Sequence, residues 1–225
     1  MLIAISQRQD KNKYDSLTDN LDSAYTRYFE RMGVELLALP NSSKRINKYF
    51  ELPIKGVILS SGNDVNPQLY NSSEKGQSVS AERDSTEKKI LQIAVKKKLP
   101  VFGMCRGMEF VNVFFGGKLA RIDANGKVKH VASNHAVQII DEKAKSFGSK
   151  FIVNSFHNYG IPKDLLSREL RPFAASEDGL IEGFYHMKLP IAGVMWHPER
   201  KSPNETANRK IVQAFSNKRS FWNTH

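Results

Sequence analysis

One cysteine and six histidines stand in this sequence, and where they fall bounds the chemistry open to it. Cys105 lies in Gly103-Met-Cys-Arg-Gly107, between an apolar strand-like run, Leu99-Pro-Val-Phe-Gly-Met104, and a helical pattern that starts at Arg106. Gly-x-Cys-x-Gly in a strand–turn–helix context is the cysteine counterpart of a nucleophile elbow. A tight turn lifts one side chain above the sheet, and the flanking glycines leave room for the turn and for a substrate. The free N–H groups of the new helix point at that side chain, which lowers a thiol pKa and helps hold an oxyanion. A lone cysteine is ordinarily a small buried hydrophobe, and the elbow lifts Cys105 out of that class. A single cysteine also excludes an intrachain disulfide and a multi-cysteine metal cage.

A thiol nucleophile needs a base, and the base needs an orienting group. The histidines are His130, His135, His157, His186, His197 and His225. His197 directly follows the apolar run Ile191-Ala-Gly-Val-Met-Trp196, at the carboxyl end of a strand, where α/β sites form. Pro198 and Glu199 come next. Two residues apart in extended backbone, His197 and Glu199 face the same side, so the carboxylate can hold one ring nitrogen while the other faces the thiol. His130 and His135 fall in a loop-to-strand region without an evident carboxylate partner, and they read as structural or solvent-facing. His157 reads as lining the pocket. No metal and no organic cofactor is expected.

The elements that must position these groups alternate. Strands are expected at 2–6, 34–40, 56–60 and 99–104, and helices at 19–32, 44–51, 82–98 and 106–115, with a polar loop over 62–80. This βαβα rhythm predicts an α/β fold of three layers, a mostly parallel central sheet with helices on both faces. Segments 135–140, 151–154, 170–176, 180–186 and 191–196 then read as strands of a mixed or antiparallel extension, closed by a helix over 204–217. No repeat or linker interrupts the 225 residues, so one domain spanning 1–225 is expected.

Composition narrows the partners. Thirty-four Lys and Arg against 23 Asp and Glu leave a net charge of +11. The basic residues are scattered, and the densest run, Lys96-Lys97-Lys98, closes a predicted helix, where cations meet the macrodipole favourably. The expected partner is an anionic small molecule drawn by the field, and not nucleic acid. No run reaches the ~18–20 apolar residues of a membrane span, and the short apolar start is no signal peptide, so a cytoplasmic protein is expected.

Gly103-Met-Cys-Arg-Gly107 together with Trp196-His-Pro-Glu199 resembles the class I glutamine amidotransferase superfamily, in its γ-glutamyl hydrolase branch. Leu59-Ser-Ser-Gly-Asn-Asp-Val-Asn-Pro67 with Tyr70, Arg83-Asp84 with Glu87, Asn154-Ser-Phe-His157 and Glu177-Asp-Gly-Leu-Ile-Glu182 fit the same branch, so the match runs from near residue 1 to about 200. The resemblance implies a Cys105–His197–Glu199 triad that hydrolyses a γ-glutamyl amide through a glutamyl thioester. It implies an oxyanion hole from the backbone N–H groups of Gly62 and Arg106. It assigns substrate contacts to Asn63, Asp64, Glu109, Asn154, Ser155, Phe156 and His157. Two positions depart from the pattern: Ser61-Gly62 stands for Gly-Gly, and Glu109 stands for a glutamine. A carboxylate at 109 can pair with the α-ammonium of a glutamyl group but cannot donate to its α-carboxylate. Arg83 and Arg106, with the positive charge, point to an anionic leaving group. The chain is similar here to the γ-glutamyl-CDP-amidate hydrolases of capsular phosphoramidate synthesis. Two other readings stay open: a glutaminase subunit that passes ammonia to a partner synthase, and a basic polyanion-binding module with an inactive fold.

Overall fold

The protein is described by a computed structural model over residues 1–42 and 44–216. The expected end of the last helix at 217, and His225, lie outside these residues. In chain order the first half contains β1 (Leu2–Ser6), β2 (Arg8–Lys11), β3 (Leu17–Asn20), α1 (Ser23–Glu30), β4 (Glu35–Leu39), α2 (Ile46–Tyr49), β5 (Val57–Leu59), α3 (Ala81–Lys97), β6 (Val101–Met104) and α4 (Arg106–Phe114). The second half adds β7 (Ala120–Arg121), β8 (Ser133–Ile139), β9 (Lys150–Ser155), β10 (Tyr159–Gly160), β11 (Leu170–Ser176), β12 (Ile181–His186), β13 (Ile191–Val194) and α5 (Glu205–Ser216).

Nine strands form one sheet in the order β4-β1-β5-β6-β13-β12-β11-β8-β9. The first five run parallel and the rest pair antiparallel, so the expected mixed extension joins the parallel half through β13. Strands β1, β5, β6 and β13 are near-continuous apolar runs because both faces are covered, whereas β4 lies at the edge and is partly exposed. Alternation along each strand divides the core in two. Ala4, Val57, Leu59, Val101 and Ile191 face a cluster that includes Ile90 and Leu91 of α3 and Met108 and Val111 of α4. Ile3, Ile5, Ile58, Phe102 and Val194 face the other cluster, with Tyr25 and Phe29 of α1 and Ile211 and Phe215 of α5. No helix among the described residues is long and apolar enough to cross a membrane.

One local expectation is corrected. Residues 8–20 form the antiparallel hairpin β2–β3, and α1 starts at Ser23, not 19. Asp22 caps it, its carboxylate accepting from the Ala24 N–H at 2.9 Å. The hairpin has no apolar alternation to betray it, since β3 is exposed throughout.

Candidate active site

Cys105 sits where β6 turns into α4, with φ 51° and ψ −113°, a conformation rarely adopted outside glycine. The turn is anchored by the Cys105 N–H, which donates to Val194 O of β13 at 2.8 Å. A Cβ on Gly103 would lie 2.7 Å from backbone atoms of Gly107 and Met108, and one on Gly107 would lie 2.1 Å from Leu59 O. Those two glycines let the helix press against β5 and β6 closely enough to force the elbow.

The other groups arrive from β13 and the segment after it. His197 Nδ1 lies 2.7 Å from Glu199 Oε1, both residues being buried. His197 Nε2 is buried with no hydrogen-bond partner among the described residues. Asn154 of β9 holds His197 from behind: its Oδ1 accepts from His197 N–H at 2.8 Å, and its Nδ2 donates to His197 O at 2.9 Å. The Phe156 ring stands edge-on to the imidazole, 5.7 Å between centroids. Cys105 and His197 line one cavity of about 410 Å³, with Gly62, Phe156, Arg8 and Arg200 on its walls. A smaller hollow of about 160 Å³ shares Cys105, Gly62, Arg8 and Phe156 with it and is also lined by Asp64, Glu109, His157 and Tyr159.

Burial decides the electrostatics. It pushes the Cys105 thiol well above the ordinary thiol range, and the nearby Glu109 carboxylate adds to the rise. The hydrogen bond from the Arg106 backbone N–H opposes this and is outweighed. The direction is opposite to the acidification expected from the helix terminus, because a buried thiolate loses more hydration than one N–H returns. Glu109 is pushed up to about 8, burial being the main cause, with Asp64 adding and Arg106 opposing.

The guanidinium groups of Arg83 and Arg106 are buried and paired with protein groups, so their side chains do not meet an anionic leaving group as expected. Arg106 pairs with Asp84 and Glu87, and Arg83 Nε donates to Glu87 at 3.0 Å. Arg83 also donates to Ser60 O at 2.8 Å and to Ser61 O and Asn63 Oδ1 at 3.0 Å. Two cations and two anions thus clamp the loop after β5 beside the elbow, and removing one partner would strand a buried charge. The cations that do line the cavity are Arg8, from the unforeseen hairpin, and Arg200, which follows Glu199 and lies over Phe156 at 4.8 Å. Nothing in the sequence around Arg8 signals this role.

The expected oxyanion and substrate residues divide. Gly62 lines both hollows at φ 91°, where a Cβ would meet the Arg8 side chain at 2.6 Å. Its neighbour Ser61 needs no such freedom: its N–H and Oγ are both held by the Tyr25 hydroxyl, at 3.0 and 2.9 Å. Asp64, Glu109, Phe156 and His157 reach a wall. Asn63 also borders the smaller hollow, but its amide is spent on Gln9, Ser78 and Arg83, so it fastens the loop. Asn154 serves His197, and Ser155 is wholly buried with its hydroxyl donating to His130 O at 2.7 Å, so neither faces a ligand. The reading of His130 and His135 as lacking a carboxylate is also corrected. Both are buried, and Glu182 of β12 approaches them at 3.6 and 3.7 Å.

Comparison with known proteins agrees with this architecture. Residues 1–199 match the family model described as Peptidase C26. The chain is 31% identical over 204 residues to a γ-glutamyl-CDP-amidate hydrolase of Campylobacter jejuni, covering 90% of this chain and 92% of that one. It is 28% identical over 219 residues to the γ-glutamyl-γ-aminobutyrate hydrolase of Escherichia coli O157:H7, covering 88% and 85%. A crystal structure of a glutamine amidotransferase from Thermotoga maritima superposes with a TM-score of 0.60 at 16% identity, covering 96% and 82%, a likeness of fold. With the family model spanning all but the last residues of an α/β sheet of this order, the chain belongs to the Peptidase C26 family of class I glutamine amidotransferase-like proteins.

Proposed function

We propose that this chain is a cysteine-dependent hydrolase that cleaves a γ-glutamyl amide and releases glutamate. The observation that carries the reading is the shared cavity: the strained Cys105 lines it together with His197, whose Nδ1 is held by Glu199 and whose Nε2 is unpartnered. Because burial raises the thiol pKa, His197 Nε2 takes its proton as the sulfur attacks the γ-carbonyl carbon. The carbonyl oxygen becomes an oxyanion facing the backbone N–H groups of Gly62 and Arg106, each well-placed donor contributing ~3–4 kcal/mol. Collapse breaks the C–N bond, and His197 returns the proton to the leaving nitrogen. A water molecule, deprotonated by His197, then attacks the thioester. Glutamate leaves and Cys105 regains its proton. The test is trapping: incubation with a γ-glutamyl amide, then mass spectrometry of the peptide containing Cys105. Neither adduct nor turnover across a γ-glutamyl panel would sink the proposal, and turnover only with a second protein would favour an amidotransferase subunit.

The leaving group we assign is an anionic one, a γ-glutamyl nucleotide phosphoramidate of the kind named for the Campylobacter relative. Arg8 and Arg200 on the cavity wall support this. Arg8→Ala and Arg200→Ala are each expected to raise KM for a γ-glutamyl phosphoramidate about tenfold, the worth of one charge-assisted hydrogen bond, with little change for γ-glutamyl-putrescine. Equal or better turnover of γ-glutamyl-putrescine by the wild-type enzyme would remove the nucleotide assignment.

Glu109 takes the place of the family's glutamine by keeping its proton. With its pKa at about 8, the carboxyl is mostly neutral at pH 7 and donates to the α-carboxylate of the glutamyl group as an amide does. Above pH 8 it ionises and repels that carboxylate. KM should therefore rise between pH 7 and 9 in the wild type and stay level in Glu109→Gln, measured by initial rates on one substrate. Stability follows the same proton. Below the ordinary value of 4.5 both folded and unfolded states hold it; from there to about 8 only the folded state does, so stability falls as pH rises. The slope is at most ~1.4 kcal/mol per pH unit, and the glutamine variant lacks it. Parallel KM profiles for the two proteins would rule this role out.

A further inference from the structure

Polar groups outside the proposed chemistry gather at one place in the antiparallel half. His130 Nδ1, His135 Nε2, His157 Nε2 and both Glu182 oxygens are buried without a hydrogen-bond partner among the described residues. One ligand atom from each of these four residues lies within 4.8 Å of every other. Glu182 Oε1 is 3.6, 3.7 and 3.8 Å from the nitrogens of His130, His135 and His157, beyond hydrogen-bond range.

The outward ring nitrogens explain why. His130 Nε2 meets Asp178 Oδ2 at 2.9 Å, His157 Nδ1 meets Tyr159 O at 2.8 Å, and His135 Nδ1 meets Ala136 O at 3.3 Å. Carboxylates and carbonyls only accept, so each outward nitrogen carries an N–H, and the other nitrogen of each ring is the one turned towards Glu182. Three ring nitrogens and the Glu182 carboxyl group thus face one another with no hydrogen bond among them. One cation placed among them would be within reach of all four groups.

We propose that His130, His135, His157 and Glu182 bind a divalent transition-metal ion of the zinc class, with Asp178 as the outer partner of His130. Three imidazoles select such an ion over magnesium or calcium, which take oxygen ligands. With bonds of about 2.0–2.1 Å, the ligand atoms of a tetrahedral zinc site stand ~3.3–3.4 Å apart, so the His–Glu separations here need to close by only a few tenths of an ångström. The carboxylate–histidine contact at Asp178 and the two carbonyl contacts are the supports that metal-binding imidazoles ordinarily have. Four protein ligands make a closed, structural site. It joins the loop before β8, β8 itself, the segment after β9, and β12. His157 lies three residues beyond Asn154, which grips His197, so the ion would position the base through β9 without touching the reacting atoms. In the sequence His130 and His135 read as structural or solvent-facing; His157 and Glu182 are brought to them by the pairing of β8 with β9 and by the β11–β12 hairpin.

The full chain, prepared without a histidine tag and stripped with a chelator, should take up one Zn²⁺ per molecule by elemental analysis after dialysis, and Zn²⁺ should raise its melting temperature. Co²⁺ should give the intense visible bands of a tetrahedral N₃O site. Glu182→Gln and His135→Ala should weaken Zn²⁺ binding at least ~100-fold, more than loss of a typical outer-shell partner. His186→Ala, at a buried histidine outside the cluster, should keep one Zn²⁺. If the cluster variants do not fold, the wild-type Co²⁺ spectrum decides. No stoichiometric Zn²⁺ or tetrahedral Co²⁺ in the wild type, or full Zn²⁺ binding by a folded Glu182→Gln, overturns the site. Metal content is read independently of turnover, so this result stands apart from the fate of the hydrolase reading.

Discussion

Cys105→Ala is expected to lower kcat on a γ-glutamyl amide by about 100,000-fold or more, the scale seen when a covalent nucleophile is removed from a coupled triad. The fold should tolerate the change. Alanine has the same backbone demands as cysteine at φ 51°, and the Cys105 N–H to Val194 O contact does not involve the sulfur. KM should change little, because the cavity walls at Gly62, Phe156 and Arg200 remain. The same variant should give no glutamyl adduct where the wild type gives one on the peptide containing residue 105. Turnover within tenfold of wild type would show that the bond is broken by another group.

Glu199→Gln should cost roughly 10,000-fold in kcat while leaving the protein folded, as when a triad carboxylate becomes an amide. The physical reason is the tautomer. The Glu199 carboxylate, 2.7 Å from His197 Nδ1, only accepts, so it holds the ring with its hydrogen on Nδ1 and its lone pair on Nε2. A glutamine amide can donate to Nδ1, which transfers the ring hydrogen to Nε2 and leaves no base facing the thiol. Asn154 still grips the His197 backbone, so ring position survives while basicity at the right atom is lost. The measurement is kcat alongside the melting temperature. A loss under tenfold with an unchanged melting temperature would mean that Glu199 does not orient the base.

Why these two residues were legible early is a matter of chain locality. The elbow is written in five consecutive residues because its geometry is set by glycines whose Cβ atoms would strike their own neighbours. His197 and Glu199 are two residues apart, so ordinary backbone geometry brings them together. The strands at 2–6, 57–59, 101–104 and 191–194 were equally readable, since a sheet covered on both faces demands unbroken apolar runs. The β2–β3 hairpin was not, because its strands are polar and its pairing rests on backbone bonds that leave no side-chain signature.

The charged residues show the opposite case. Arg83 and Arg106 read as anion-binding from sequence, yet both are sunk among Asp84, Glu87 and the Ser60–Asn63 loop. Whether an arginine faces solvent, ligand or carboxylate depends on what packs over it, and residues far apart in the chain settle that. The same holds for Asn154 and Ser155, which point behind the site, and for Arg8 and Arg200, which face into it. The sequence by itself determined the layered α/β architecture and the candidates for nucleophile and base, all consequences of contacts between near neighbours or of burial on a repeating face. Only the tertiary structure decided which cations meet the cavity, that burial raises the thiol pKa, and that His130, His135, His157 and Glu182 converge. Each of these depends on desolvation or on groups far apart in the chain, such as Arg8 and Cys105 or His130 and Glu182, which no local pattern encodes.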